Sequence, residues 1–261
     1  MTAGGSDRVS GSVDLLDRAA EAVQAHLQKH GTAGLPELLD ALAAEHPAMA
    51  LRLNLAASLR GPCAEGREAA GQALARFLTG VTLARLQCAA QFAALVHQYR
   101  WTSVATYSRS GQVRECLAAG RAAGLKSAVL SEARPAGEGV LMARELRGEG
   151  YEVALTADAA LPAFLADVDA LVVGADADAG DRFVNKTGTA LLLREARLKS
   201  CSRVVLTLPQ KRLAPAQLLA WRNLPLDRPR PLPRLPKGVA WRGELFEQVP
   251  WDLVNFPLGR G

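Results

Sequence analysis

The stretch Leu171-Val172-Val173-Gly174-Ala175-Asp176 decides the fold. An apolar run with no polar alternation, closed by a glycine and a carboxylate, reads as a parallel strand buried on both faces. Such a strand delivers Asp176 to its C-terminal end, where open α/β sheets place their ligands. After a short loop, Asn185-Lys186-Thr187-Gly188-Thr189 precedes a helical run from Ala190 to Lys199. An amide, an ammonium and a helix N-terminus are thereby expected at one spot, and together they predict an anion site.

Strand, loop and helix recur outward from that stretch. Trp101 to Tyr107 is rich in β-branched and aromatic residues; the polar loop Ser108-Arg109-Ser110-Gly111 and a helix from Gln112 to about Ala123 follow. A strand Lys126 to Ser131 leads into the loop Glu132 to Gly139 and a helix Val140 to Arg147. Further strands are expected at Glu152 to Thr156, with Asp158 at the end, and at Arg203 to Leu208. Five strands alternating with helices predict an α/β fold with a doubly wound parallel sheet and right-handed crossovers over 101–261.

Upstream the period changes. From Val13 to Arg100 apolar positions recur at helical spacing, as in Leu15, Leu16, Ala19, Val23 and Leu27, so 13–100 reads as an N-terminal helical domain of three or four helices. Breaks are expected at His30-Gly31, Glu45-His46-Pro47 and Arg60-Gly61-Pro62-Cys63. Residues 1–12 are Gly, Ser and charge and read as a disordered terminus. The Pro- and Arg-crowded segment from Leu224 to Lys237 reads as extended surface chain.

Composition narrows the function classes. The chain of 261 residues, 49% hydrophobic, can bury a large core. Its net charge of +5 comes from scattered arginines without a basic run, so a nucleic-acid partner is not expected, while a phosphorylated small molecule fits the charge equally well. Cys63, Cys88, Cys116 and Cys201 show no CxxC spacing and read as reduced core thiols. Lacking a signal peptide and an uninterrupted apolar span, the protein is expected to be soluble and cytoplasmic. His26, His30, His46 and His97 lie away from the predicted crevice; no metal and no cofactor are expected.

Three loops at strand ends would converge: Ser108-Arg109-Ser110-Gly111, Arg134 with Glu138-Gly139, and Asp176 with Asn185-Lys186. A guanidinium, an ammonium and a helix start would neutralise the roughly two charges of a phosphate, leaving Asp176 as the general acid or base. Taken singly, each feature fits a plainer role: Asp176 as a cap or ion-pair partner, Arg134 before Pro135 as a loop clamp, Tyr107 and Trp101 as packing.

Thr106-Tyr107-Ser108-Arg109-Ser110-Gly111, Glu132-Ala133-Arg134-Pro135 with Gly139, Asp158, Gly174-Ala175-Asp176, Asn185 to Thr189 and the closing Leu245-Phe246-Glu247-Gln248-Val249-Pro250 run in the order of a known family. The chain resembles the translation initiation factor 2B alpha/beta/delta superfamily, which includes methylthioribose-1-phosphate and ribose-1,5-bisphosphate isomerases. That resemblance implies a helical domain followed by a Rossmann-like domain, and pairing of C-terminal domains into a homodimer or higher oligomer. It also implies catalytic positions at Asp176 and Ser108, with ligand contacts at Arg109, Ser110, Gly111, Arg134, Glu138, Gly139, Asn185 and Lys186.

Two departures matter. The isomerases carry a cysteine at the position of Ser108, and a thiol with a reference pKa of about 8.5 exchanges protons near neutrality far more readily than a hydroxyl. Losing one acid/base partner costs about 100-fold to 10,000-fold in rate. Glu138 stands where the family offers a glutamine. The Ser-Arg-Ser loop is closer to the initiation-factor regulatory subunits. Arg60-Gly61-Pro62 echoes an N-terminal isomerase motif but lies closer to Ser108 than in those enzymes, and also fits a helix-ending turn. Beside it, Cys63 is either a replacement nucleophile or a structural thiol. The leading expectation is a binder of a phosphorylated sugar or nucleotide with a regulatory or scaffold role; an aldose-phosphate isomerase and a translation-linked interaction subunit are the alternatives.

Overall fold

The computed structural model of the chain describes residues 11–214, 217, 236–240 and 244–260. The segment Leu224 to Lys237 lies outside them up to residue 235. Of the expected disordered stretch 1–12 only Gly11 and Ser12 are described, and Ser12 is buried as the first residue of a helix.

The apolar periodicity of the first hundred residues is realised as α1 (Ser12–His30), α2 (Leu35–Glu45), α3 (Ala50–Glu65) and α4 (Arg67–Tyr99). Leu15, Leu16, Ala19, Val23 and Leu27 are all buried on one face of α1. The expected break at Arg60-Gly61-Pro62-Cys63 is absent, because α3 runs through Pro62. Leu59 and Cys63 continue its buried face, and that packing outweighs one backbone hydrogen bond lost to proline. The chain turns instead at Gly66, whose φ of 116° suits glycine alone.

The second region follows as β1 (Ser103–Thr106), α5 (Gly111–Ala123), β2 (Ser127–Ser131), α6 (Glu138–Gly148), β3 (Glu152–Thr156), β4 (Ala170–Gly174), β5 (Ala177–Asp178), β6 (Arg182–Lys186), α7 (Thr189–Leu198), β7 (Ser202–Leu206), β8 (Phe246–Pro250) and β9 (Phe256–Leu258). Strands pair in parallel in the order β3-β2-β1-β4-β7-β9. This is the doubly wound α/β sheet read from the sequence, with β9 as an added edge. Period-2 alternation divides its faces. Val104, Leu130, Val172 and Val204 pack with α4, α5 and α6, whereas Ala105, Val129, Leu171, Val173 and Val205 pack towards α7.

The sequence pattern puts Asn185 and Lys186 on a loop; in the structure they lie on β6, in a small antiparallel sheet ordered β5-β6-β8. Their partners are distant in the chain, with Asn185 opposite Glu247 and Lys186 opposite Phe246. Leu15, Ala48, Met49 and Ala50 pack with Ala177, Val184 and Phe246, which seats the helical region on this small sheet. Among the described residues, no helix is long and apolar enough to cross a membrane.

Candidate functional site

Strand order reverses between β1 and β4, and the crevice at such a switch point is where open α/β sheets bind ligands. β1 is followed directly by Tyr107-Ser108 and β4 by Ala175-Asp176, so both residues expected to carry chemistry reach this crevice. Asp176 is fixed by its backbone: its N–H donates to the Val184 carbonyl at 2.8 Å and its carbonyl accepts from Ala50 N–H at 3.0 Å. The start of α3 thereby clamps the loop that presents the carboxylate. The Ser12 hydroxyl donates to that carboxylate.

An inner cavity of about 50 Å³ lies here, walled by Ser108, Arg109, Ser110, Glu138, Gly174, Asp176, Asn185 and Lys186 and roofed by Gly11, Ser12 and Met49 of the helical region. Its polar groups are tightly engaged. Ser108 donates its hydroxyl to Glu138 Oε1 at 2.8 Å. The same oxygen is ion-paired with Lys186 Nζ, which also donates to the Ala133 carbonyl at 2.9 Å. Glu138 and Lys186 are 5% and 4% exposed, so this pair is desolvated and held by packing. Glu138 Oε2 is buried without a protein partner. Ser108 and Ala133, both beside this pair, hold φ of 70° and 60°, a left-handed conformation that costs non-glycine residues on the order of 1–2 kcal/mol.

Burial raises the proton affinity of Asp176, opposed by the Lys211 ammonium and the Ser12 hydroxyl. Lys211, 1% exposed, donates to the Ala175 carbonyl at 2.6 Å and to Gln112 Oε1 at 3.1 Å, while burial lowers its own proton affinity. Sequence reasoning passed over this lysine; its position just after β7, at the same end of the sheet as Asp176, was the available signal. Burial, then the carboxylates of Asp158, Glu138 and Glu247, push the Tyr107 hydroxyl up, and it donates to the Thr187 carbonyl at 2.7 Å.

A wider outer chamber of about 430 Å³ adjoins the inner cavity across Tyr107, Lys186 and Leu245. Arg134, Pro135, Asp158, Pro162, Leu191 and Glu244 are among its walls. Asp158 accepts from the Ala133 and Arg134 amides at 2.8 and 2.7 Å, which fixes the loop containing the cis Arg134-Pro135 bond. The Arg134 side chain is 61% exposed and pairs at the surface with Glu132, at 3.2 Å.

The side chains and backbone of the remaining expected site residues are committed to contacts within the protein. Arg109 borders the cavity, but its guanidinium is held by Glu145 at 2.8 Å and Asp14 at 2.9 Å. Ser110 caps α5 by accepting from Val113 N–H at 3.3 Å, and Gly111 starts that helix. Gly139 lies against the Ser131 carbonyl with no room for a side chain. Asn185 donates to Thr189 Oγ1 at 3.1 Å. The helix N-terminus expected to hold an anion already holds one: Glu247 Oε1 accepts from Gly188 and Ala190 N–H groups at 2.9 and 2.8 Å. All four cysteines are buried and unbridged. Among the described residues no cluster of three His, Cys, Asp or Glu side chains is placed to hold a metal.

Comparison with known proteins adds ancestry. The model of the Initiation factor 2 subunit family matches residues 13–201. A Pyrococcus furiosus protein named translation initiation factor eIF-2B subunit 2-like is 30% identical over 226 residues, 85% of this chain and 78% of that protein. An Archaeoglobus fulgidus protein named ribose 1,5-bisphosphate isomerase is 42% identical, over only 27% of this chain and 24% of its own length. Among solved structures, the Pyrococcus horikoshii OT3 translation initiation factor eIF-2B has a TM-score of 0.83 at 24% identity, covering 97% of this chain and 90% of that one. The 5-methylthioribose 1-phosphate isomerase of that organism has a TM-score of 0.71 at 19% identity, covering 95% and 78%. At these identities the solved structures speak for the fold alone.

Proposed function

Because this chain belongs to the Initiation factor 2 subunit family, we propose that it is a cytoplasmic regulatory or scaffold member that binds a phosphorylated sugar or nucleotide in the crevice between β1 and β4. The observation that carries this reading is the linked trio Ser108, Glu138 and Lys186. A hydroxyl stands where the resemblance puts the isomerases' thiol, and it is already bonded to a carboxylate that neutralises the buried lysine. Proton transfer to a substrate would have to break that arrangement, whereas binding beside it would not. The outer chamber supplies room and, in Arg134, a guanidinium whose surface pairing with Glu132 is worth about 1 kcal/mol or less and yields readily to a phosphate.

Thermal-shift measurements with ribose 5-phosphate, methylthioribose 1-phosphate and adenosine monophosphate test this. A ligand at 100 times its dissociation constant stabilises by about 2.7 kcal/mol, so a clear rise in Tm is expected with at least one of the three, reduced by Arg134→Ala. No stabilisation by any of them overturns the reading.

A second reading, an aldose-phosphate isomerase, is favoured by the raised proton affinity of Asp176, which suits a general acid or base. Its assay is turnover of ribose 1,5-bisphosphate with Asp176→Asn as control; absent turnover removes it. Exposed Leu191 and Leu198 on α7, at 62% and 80%, support self-association as a homodimer, to be measured by light scattering. A translation-linked assembly is the alternative there: a solved neighbour is the tetrameric eIF2B-beta2-delta2 complex from C. thermophilum, and co-purification with other subunits separates the two.

A further inference from the structure

Two thiols outside the candidate site face each other inside the molecule. Cys88 on α4 and Cys116 on α5 are fully buried, and the Cys116 thiol donates to Cys88 Sγ at 3.9 Å. A disulfide needs about 2.05 Å between its sulfurs, so side-chain rotation has a gap of about 2 Å to close. The other thiols are engaged elsewhere: Cys63 packs in the helical core, and Cys201 donates to the Ser202 carbonyl at 3.6 Å. Within the facing pair the two sulfurs are chemically unequal. Gln112 Nε2 donates to Cys88 Sγ at 3.5 Å, and the Lys211 ammonium is bonded to Gln112 Oε1 at 3.1 Å. The Cys116 bond first, then Gln112 and Lys211, pull the Cys88 thiol below its usual range against the opposing effect of burial. Its bond to Cys88, then burial, push Cys116 up. Cys88 is therefore the nucleophile and Cys116 the proton-bearing partner.

A thin layer of chain separates Cys88 from solvent. Gly259 lies over it, so close that a Cβ added there would be 3.5 Å from Cys88 Sγ. Gly259 also lines a groove of about 520 Å³, together with Leu258 and with Ala84, Gln87 and Gln91, which bracket Cys88 on α4. The covering chain continues from β9, three residues at the edge of the sheet. It is latched by Arg260, which pairs with Asp178 at 3.2 Å and lies over the Trp251 ring at 4.4 Å. Short edge segments are among the first parts of a fold to open locally.

We propose that Cys88 and Cys116 are a reversible redox pair, oxidised by hydrogen peroxide that enters through this groove when β9 lifts. The Cys88 thiolate attacks one peroxide oxygen, the O–O bond breaks, and the departing oxygen leaves as water after taking a proton. Cys88 is then a sulfenic acid. The Cys116 sulfur attacks it, the S–O bond breaks, and the hydroxide leaves as water with the Cys116 proton. Two thiols and one peroxide give one disulfide and two waters. The bond ties α4 to α5 and closes the loop 88–116, which carries Ser108, so it acts on this wall of the crevice whatever ligand the crevice takes.

Peptide mapping by mass spectrometry without reductant, on the folded native chain treated with hydrogen peroxide, tests the proposal. The expected result is a peptide pair joined through Cys88 and Cys116 and released by dithiothreitol, with Cys63 and Cys201 still reduced. Cys116→Ser should stop at a Cys88 sulfenic acid, captured by dimedone. Arg260→Ala should speed bridging about tenfold by loosening the segment over Cys88. A native chain that keeps its circular dichroism signal and forms no such pair overturns the proposal, even where a variant fails to fold. Bridging that waits for loss of that signal overturns it equally, and a rate unchanged by Arg260→Ala overturns entry beneath β9.

Discussion

Glu247 closes the N-terminus of α7 by placing one carboxylate oxygen 2.9 Å from the Gly188 amide. The same oxygen lies 2.8 Å from the Ala190 amide, so a side chain 59 residues from Gly188 does the work of a local cap. Helix starts leave N–H groups without intrahelical partners, and a carboxylate there gains from both hydrogen bonding and the helix dipole. Glu247→Ala is therefore expected to cost about 1–2 kcal/mol, and Glu247→Gln less, since its amide oxygen still accepts. Inorganic phosphate should partly restore the thermal stability of Glu247→Ala by occupying the vacated amides, with a much smaller effect on the native chain. Equal phosphate effects on both would show that the helix start is not the groove Glu247 fills.

Gly139 is fixed by contact rather than by backbone freedom. A Cβ at this position would lie 1.9 Å from the Ser131 carbonyl oxygen and 2.9 Å from the Glu132 carbonyl carbon. Both are backbone atoms at the end of β2, so neither can swing aside. Gly139→Ala must push α6 off the sheet and carry Glu138 away from Lys186. A loss of about 3 kcal/mol or more is expected, which for a chain of this length lowers Tm by roughly 6–12 °C. Gly148→Ala, in the same helix with nothing within 4 Å of the added carbon, is the control. It should be neutral or slightly stabilising by calorimetry.

What the sequence disclosed and what it hid follow from the range of the interactions. The run Leu171 to Asp176 could be read as a buried parallel strand because burial on both faces leaves a local, continuous apolar signature. Ser108, Glu138, Asp176 and Lys186 could be named because each stands near the C-terminal end of a strand or the start of the next helix, a position fixed by the α/β repeat. The small sheet could not be read. β6 acquires its strand geometry from β8, whose residues Phe246 to Pro250 lie far along the chain. The same distance hid the roof of the cavity, since nothing in Gly11-Ser12 or Met49 marks them as neighbours of Asp176. Pro62 misled for a related reason: a local breaker was overruled by the tertiary face that Leu59 and Cys63 bury.

Lys211 and Asp176 form the coupled pair whose titration the geometry predicts most directly. Asp176 holds its proton more tightly than the ordinary carboxylate value of 3.8, first because burial disfavours its charge, with the Lys211 ammonium and the Ser12 hydroxyl opposing. Below 3.8 the group is protonated in both folded and unfolded chains, so its stabilising contribution is complete there. As pH rises through the raised folded value, that contribution is lost. Carbon-detected NMR of the Asp176 carboxyl should therefore show a midpoint above 3.8 in the native chain. Lys211 faces Cys88, Cys116 and Arg85 as well, but Asp176 is the largest charge effect on it. Lys211→Met should move the Asp176 midpoint higher still, because the ammonium that favours the carboxylate is gone. Lys211→Arg should bring it back towards the native value if charge governs the effect. A midpoint indifferent to Lys211→Met would mean that the lysine serves only the Ala175 carbonyl and Gln112, and that Asp176 owes its proton affinity to burial alone.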